Sequence, residues 1–255
     1  MRAKQLILFL LPVLFLFILG SCKKKTENFE TEALTDYIPV VVGKYVTYRI
    51  DSTVFTNRGR NIEIHYYQVR HVIEAAIEDN LGRPSYRVQR YLRDTAGTQP
   101  WVPGGTYFIT PLFDQVEVIE DNLRFIKLHE PFRINYNWKG NKYLSAEPYY
   151  PQLQFSNDDN MNDWDFTYDQ FDESTNINGQ SLNNVYTVFQ IDESLNAPVT
   201  DLNSFGSRSL SVEKYAKDIG LVYRDYILWE YQPPANGVSG FYAGFGIKMW
   251  MIDHN

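Results

Sequence analysis

The chain has 255 residues and a formal net charge of −7, with 24 Lys and Arg residues against 31 Asp and Glu residues. A mildly acidic chain argues against nucleic acid as a partner, because the phosphate backbone attracts proteins with an excess of cations. Cys22 is the only cysteine, which excludes a disulfide scaffold and a cysteine-ligated zinc site. The sequence has no phosphate-binding or dinucleotide-binding motif, so we expect no cofactor.

Residues 1–21 have the layout of a secretory signal peptide, with a basic start, an apolar run at residues 6–19 and small residues before a cysteine. The apolar run contains Pro12 and is shorter than the roughly 20 residues that a membrane-spanning helix needs. We therefore predict a lipoprotein signal peptide, with an ordinary signal peptide or an uncleaved anchor as the alternatives. The lipobox recognised by lipoprotein signal peptidase is matched by Leu19, Gly20, Ser21 and Cys22.

Cys22 is the predicted lipidation site and the first residue of the mature chain. Two or more acyl chains on one cysteine give stable membrane binding, so we expect the membrane to be a partner through this lipid. Residues 22–37 are polar and without periodicity, and we predict that they form a flexible tether. The three lysines at residues 23–25 either add to attraction by an anionic leaflet or belong to the solvated tether.

A single β domain is predicted for residues 38–255, where apolar and polar residues alternate with a period of two. This alternation is typical of strands that place one face on a core. It is clear in the first such segment, in which Val46, Tyr48 and Ile50 alternate with polar residues. Segments of this kind lie at residues 46–51, 62–76, 86–93, 116–120, 123–128, 164–169, 185–192, 210–216, 221–229 and 241–252.

Short stretches of turn-forming residues separate these segments, for example at residues 57–60, 79–84 and 176–179. The pattern indicates no long helix after the signal peptide. We therefore predict an all-β fold, a single large antiparallel meander of about nine to eleven strands. A sheet this wide does not stay flat, so it should curl into a half-barrel or barrel, or fold over as a sandwich.

Several glycines and one tryptophan have predicted structural roles. Gly220 is expected to adopt a positive φ that returns the chain to the sheet. Gly244 and Gly246 interrupt the last strand and indicate a bulge or a strong bend. Residues 103–105, Pro-Gly-Gly, are predicted to form a turn. Trp138 is expected to anchor the core between short strands.

Acidic and amide side chains at alternate positions suggest a calcium site. The comparison with an EF-hand fails, because the sixth position lacks the required glycine and the twelfth holds Asp169 instead of glutamate. The alternative is a solvated acidic loop, and we favour that interpretation. The candidate ligands are Asp158, Asn160, Asn162 and Asp163.

Other residue types give no catalytic pattern, so we predict no catalytic residue. Ser239 lies in a Gly-Val-Ser-Gly-Phe stretch that lacks the spacing of a serine-hydrolase elbow. The neighbouring carboxylates Asp172 and Glu173 are common on acidic surfaces. No metal-binding spacing relates the histidines at positions 65, 71, 129 and 254. Aromatic residues that could line a sugar or lipid site, or pack in the core, are Trp101, Tyr149, Tyr150 and Trp164.

Four segments, at residues 42–52, 121–128, 137–141 and 215–223, resemble a family of Bacteroidota lipoproteins of uncharacterised role. The last segment is the most specific, since a tyrosine, a small residue and a glycine precede an apolar strand. The resemblance implies an exported lipoprotein with an all-β mature domain, and it implies no activity. Bacteroidota lipoproteins that are exposed on the cell surface tend to carry acidic residues directly after the cysteine. This chain has lysines at residues 23–25 instead, so we expect an outer-membrane anchor that faces the periplasm.

The sequence as a whole predicts a membrane-anchored envelope lipoprotein that acts as a non-enzymatic binding or structural module. An envelope protein, a glycan or an apolar ligand is a possible partner. A carrier that holds an apolar ligand inside a curled sheet is the first alternative, and it requires an unfilled concave face. A glycan or peptidoglycan hydrolase is the second alternative, and it requires two carboxylates in a cleft.

Replacing Cys22 with serine should leave the protein without acyl chains, because the thiol is the attachment point for the lipid. Incorporation of radiolabelled palmitate, followed by fractionation of the membranes, measures this directly. Ser21→Ala is the control, since it keeps both a small residue and the cysteine, and it should be labelled normally. Full labelling and full membrane association of Cys22→Ser would contradict the predicted anchor.

Overall fold

The computed structural model describes residues 32–153, 155 and 160–255. The predicted signal peptide, the lipobox with Cys22, and most of the predicted tether lie outside the described residues. The described part is built almost entirely of strands, with two single-turn helices, α1 (Leu34–Tyr37) and α2 (Tyr150–Leu153), and a 3₁₀ turn at Met161–Asp163. No described helix is long and apolar enough to cross a membrane.

Twelve strands form the described sheet, and each pairs with its neighbours in antiparallel fashion. The strands are β1 (Tyr45–Thr56), β2 (Asn61–Glu78), β3 (Pro84–Asp94), β4 (Val102–Pro111), β5 (Gln115–Glu120), β6 (Leu123–His129), β7 (Asn137–Lys139), β8 (Asp165–Ile177), β9 (Gln180–Leu195), β10 (Gly206–Ala216), β11 (Gly220–Gln232) and β12 (Phe241–His254).

The sheet order is β6-β5-β4-β3-β2-β1-β12-β11-β10-β9-β8-β7, so the chain runs as two meanders joined where β1 pairs with β12. The sheet curls until it is nearly closed into a barrel. Its two edges meet where the Ile126 amide donates to the Gly140 carbonyl at 2.7 Å and the Trp138 ring N–H donates to the Ile126 carbonyl at 2.8 Å. The predicted all-β antiparallel fold is confirmed in its curled form, and the sandwich alternative is not adopted.

Two strands were not predicted from the sequence. Strand β7 has only three residues, too few to show a period of two. Strand β4 contains residues 103–105, so the predicted turn there is wrong. Gln89 pairs with Thr106 and Tyr91 with Pro103, which leaves one extra residue on β4 and marks a β-bulge. Glycine suits both a turn and a bulge, because both need backbone conformations that other residues avoid.

Successive side chains along each strand point alternately to the inner, concave face and to the outer face of the curled sheet. On β1, Val46, Tyr48 and Ile50 are buried on the inner face, while Arg49 and Asp51 face outward and pair with each other. The inner faces of the strands form two adjoining hydrophobic clusters. Burial of these apolar surfaces is the main stabilising term of the fold.

Two predicted glycine roles can be compared with the structure. Gly220 has φ +107 and begins β11 after a turn, as predicted. Gly244 has φ +120, and a Cβ atom there would lie 2.1 Å from the Leu228 carbonyl oxygen. The pairing of β11 with β12 keeps its register at Gly244, so this glycine permits close approach of the strands and creates no bulge there.

The end of the predicted tether belongs to the folded unit, which begins at Glu32. Leu34 and Tyr37 on α1 are buried, and the Tyr37 ring packs on Phe132 and Tyr186 at centroid distances of 4.8 and 5.2 Å. The Tyr37 hydroxyl donates to Glu32 at 2.8 Å. The boundary at residue 38 is therefore corrected to residue 32. Two apolar residues in a polar segment gave too little pattern to show that it packs on the sheet.

Tyr37→Ala should destabilise the domain by about 3 kcal/mol or more, because it leaves a cavity where a large aromatic side chain was buried. Urea unfolding followed by tryptophan fluorescence measures the change. Tyr150→Ala is the matched control, since Tyr150 is an exposed tyrosine, and its effect should stay within about 0.5 kcal/mol. Equal effects of the two substitutions would contradict a structural role for α1.

Candidate functional site

Five charged side chains meet on the inner face of the curled sheet, and we call them the ion network. They come from strands β3, β5, β6, β10 and β11, and each has at most about a fifth of its side chain exposed. Charges in such an interior are stable only when they are paired and hydrogen-bonded. The members are Arg90, Glu120, Lys127, Glu213 and Arg224.

Glu213 is the most buried member, with 1% of its side chain exposed. It accepts hydrogen bonds from Lys127 Nζ at 2.9 Å and from Arg224 Nε at 2.8 Å. The Tyr215 hydroxyl at 2.8 Å and the Gln190 amide at 3.2 Å complete its shell. Burial raises the pKa of the Glu213 carboxyl, but Lys127 and Arg224 outweigh burial and lower this pKa to about 2. Glu213 is therefore a permanent anion at neutral pH.

Arg224 connects Glu213 with Glu120 in the ion network. Its guanidinium donates to Glu120 at 3.2 Å, and Arg90 donates to Glu120 at 3.3 Å and to Asp121 at 3.0 Å. Burial opposes ionisation of Glu120, but the cations around it, Arg224 foremost, lower its pKa overall. Arg224 thus helps to hold both carboxylates of the ion network in the charged state, together with Lys127 at Glu213.

A neutral histidine lies beside the ion network. The His71 Nδ1 atom is 3.2 Å from the Tyr107 hydroxyl, and its ring packs against those of Tyr48 and Tyr107. Burial lowers the pKa of His71 to about 3, because the surroundings disfavour the charged imidazolium. His71 therefore adds no charge to the interior at neutral pH.

Two cavities flank the ion network, and Glu120, Lys127 and Arg224 line both of them. The first cavity has a volume of about 80 Å³ and lies next to the residues that follow α1. Its other walls are mostly apolar and include Ile38, Ile73, Val88, Ile109, Val118 and Leu221.

The second cavity is the larger of the two, with a volume of about 340 Å³, and it lies along α2. Tyr149, just before α2, places its hydroxyl 3.0 Å from that of Tyr226 and its ring 5.2 Å from that of Phe245. Apolar side chains from both halves of the sheet form the remaining wall: Leu123, Phe125, Leu153, Phe245 and Ile247. The cavity therefore combines a charged floor with an apolar wall, which suits a ligand with both characters.

The candidate calcium ligands do not converge in the described part of the chain. Asp158 lies outside the described residues. Asn160 and Asn162 belong to the 3₁₀ turn region, and Asp163 is bound by Lys139 at 2.9 Å, as is Asp165 at 3.1 Å. The lysine neutralises the carboxylates that a cation would need. Among the described residues, no three His, Cys, Asp or Glu side chains are placed to hold a metal.

The four candidate aromatic residues separate in the structure. Only Tyr149 lines a cavity beside the ion network. Trp164 is buried in the core and Tyr150 is exposed. Trp101 lies on the outer face, with the guanidinium groups of Arg70 and Arg93 4.8 and 4.2 Å from its ring.

The hydrolase alternative needs a protonated acid beside a carboxylate in a cleft. Glu120 and Glu213 are carboxylates at the interior cavities, but both have lowered pKa values and neither holds a proton at neutral pH. Asp172 and Glu173 lie on β8 outside the ion network. Glu120 and Glu213 therefore do not form the acid and base pair that the hydrolase alternative requires.

Sequence reasoning did not single out the ion network. One signal was present: Lys127 and Arg224 each interrupt an apolar strand, in Phe-Ile-Lys-Leu and Val-Tyr-Arg. From the sequence alone, a charged residue in an alternating strand is assigned to the outer, solvated face of the sheet. Lys127 faces the interior in regular alternation with Leu123 and Phe125, and the bulge between β5 and β6 follows it, where the pairing changes from Glu117 with Ile126 to Val116 with Leu128.

Comparisons with known proteins give no family for this chain. No family model and no curated protein matches it. One solved structure, a domain from Vibrio parahaemolyticus provisionally described as an outer membrane lipoprotein-sorting protein domain, aligns over 84% of this chain and 85% of that chain. The two are 11% identical with a TM-score of 0.21, so we base no inference on this similarity.

Glu213→Gln should destabilise the domain by about 3 kcal/mol near neutral pH, because it leaves Lys127 and Arg224 as buried cations without their main counter-charge. Glu213 has a folded pKa of about 2 against an ordinary value of 4.5, so its contribution is present above that ordinary value and is lost as the pH falls towards 2. The difference between wild type and variant should therefore shrink in acid. Urea unfolding at neutral and acidic pH measures it.

Glu173→Gln is the control for this prediction, because Glu173 is an exposed glutamate on β8. Its effect should stay within about 0.5 kcal/mol at both pH values. A difference between wild type and Glu213→Gln that does not change with pH would show that the charge of Glu213 is not what stabilises the interior.

Proposed function

We propose that this protein is an exported lipoprotein, anchored by lipid on Cys22 to the outer membrane and facing the periplasm, that binds a small ligand inside its curled sheet. The anchor rests on the signal peptide and the lipobox at residues 19–22. The binding role is non-enzymatic. This role corresponds to the carrier that the sequence analysis gave as its first alternative. It differs in one respect, because the proposed binding site has both charged and apolar walls.

The second cavity is the observation that carries this proposal. A well-packed core leaves few voids larger than a water molecule. Here a cavity of about 340 Å³ lies between Phe125, Phe245 and Ile247 on one side and the ion network on the other. An apolar wall beside fixed polar groups is the usual composition of a small-molecule site, in which apolar contacts give affinity and polar groups give orientation.

The position of the ion network also favours binding over a purely structural role. Replacing a buried ion network with apolar side chains often leaves stability unchanged or raises it, so packing alone does not require these charges. Lys127 and Arg224 are both in contact with cavity space. Charges that are fixed by Glu213 and also line a cavity are arranged to meet a ligand without reorganising.

Native mass spectrometry of the protein purified from its own membrane tests the proposal. We expect a mass above that of the lipidated polypeptide, because a bound ligand should survive gentle purification. Leu123→Trp should abolish the extra mass, since the larger ring projects into the second cavity and takes space that the ligand needs. Val102→Trp is the control, because Val102 is exposed on β4, and it should keep the extra mass.

A wild-type mass that equals the lipidated polypeptide alone would count against a bound ligand. An extra mass that survives in Leu123→Trp would place the ligand elsewhere than in the second cavity.

A further inference from the structure

The buried charges beside the second cavity do not cancel. Arg90, Lys127 and Arg224 carry three positive charges, and Glu120 and Glu213 carry two negative charges, so the ion network has a net charge of 3 − 2, or +1. Asp121 pairs with Arg90, but 73% of its side chain is exposed, so water screens its charge. His71, close to the ion network, is neutral and does not change the sum. One anion in the cavity would balance the interior.

The ion network also has hydrogen-bond donors that no described residue uses. The Lys127 ammonium has three N–H donors, and within the described residues it donates only to Glu213. Arg90 Nε is buried and has no partner in the described part of the chain. A buried donor without an acceptor is costly, so such donors favour a bound acceptor.

The part of the cavity wall that adjoins these donors is apolar. Phe125 packs beneath the Lys127 ammonium, which lies 4.6 Å from the centre of its ring. Phe245 and Ile247 on β12 and Leu153 on α2 continue the apolar wall away from the charges. Tyr226 and Tyr149 lie beside this wall and bond to each other through their hydroxyls. The cavity thus has one charged part and one apolar part.

We propose that the second cavity binds a single-chain amphiphile with a monoanionic head, its carboxylate or equivalent anion facing Lys127 and its alkyl chain lying against Phe125, Phe245 and Ile247. This inference rests on the interior binding proposed above and adds the chemical class of the ligand. The anion brings the charge of the ion network to zero and accepts from the unused donors. The alkyl chain removes the apolar wall from water.

Calorimetric titration of the mature chain, residues 22–255 with Cys22→Ser, tests the ligand class without a detergent. This chain contains the whole compact unit that starts at Glu32. The probes are decanoate, its neutral analogue 1-decanol, and acetate, each below any micelle concentration. We expect decanoate to bind at least about tenfold more tightly than 1-decanol, because a charge-assisted hydrogen bond contributes at least that factor. Acetate should show no measurable binding.

Lys127→Met should weaken decanoate binding by about tenfold or more and leave 1-decanol binding within about twofold, since it removes the charge and keeps the apolar length. Glu213 keeps Arg224, Tyr215 and Gln190 as partners in this variant. Lys139→Met is the matched control, because Lys139 pairs with exposed carboxylates and does not line the second cavity, so both affinities should be unchanged. If Lys127→Met does not fold, Arg90→Met gives the same comparison at the mouth of the cavity.

The outcomes separate the two proposals. Equal binding of decanoate and 1-decanol, both lost in Leu123→Trp, would overturn the anionic head and keep interior binding. Equal binding of decanoate and acetate would show a site for the ion alone and overturn the amphiphile. Absence of binding by both decanoate and 1-decanol would overturn the amphiphile, whereas the proposed function as a whole fails only if the protein from its own membrane also carries no extra mass.

Discussion

A buried carboxylate on β10, Glu213, accepts hydrogen bonds from a lysine, an arginine, a tyrosine and a glutamine. Its partners lie on β6, β9, β10 and β11, so this one charge links strands from both halves of the meander. Removing such a charge from water costs several kcal/mol, and only this dense shell offsets the cost. The arrangement of the interior around it is therefore narrowly specified.

The ion network also determines where the two cavities lie. The long charged side chains of the ion network lie between the two cavities. Glu120, Lys127 and Arg224 consequently line a cavity on each side. The first cavity continues towards α1, whose Tyr37 is buried among aromatic rings. The second follows α2 and has the mixed lining on which the proposed function rests.

The proposed function joins two features that are far apart in the chain. The lipobox at residues 19–22 predicts a protein held at a membrane. The interior offers a net positive floor and an apolar wall, which match the head and chain of an anionic amphiphile. Membranes are the place where such molecules are concentrated, so the predicted anchor and the proposed ligand class are chemically consistent with each other.

The sequence by itself determined the fold class, ten of the twelve described strands and the role of Gly220, because these depend on local properties: period-two alternation, turn residues and backbone freedom. It also predicts the anchor at Cys22, since a signal peptide is recognised as a linear pattern. The sequence pattern did not predict that α1 is buried. Two apolar residues in a polar segment do not reveal a surface that packs on a distant sheet.

Only the tertiary structure decided the ion network and the cavities. Lys127 and Glu213 are 86 residues apart, and Glu120 and Arg224 are 104 residues apart. Their meeting depends on the order of the strands and on the curl of the sheet. A charge on a strand has the same local signature whether it faces water or a partner across the interior. The physical reason is that register and curvature are set by the whole sheet, and no single segment encodes them.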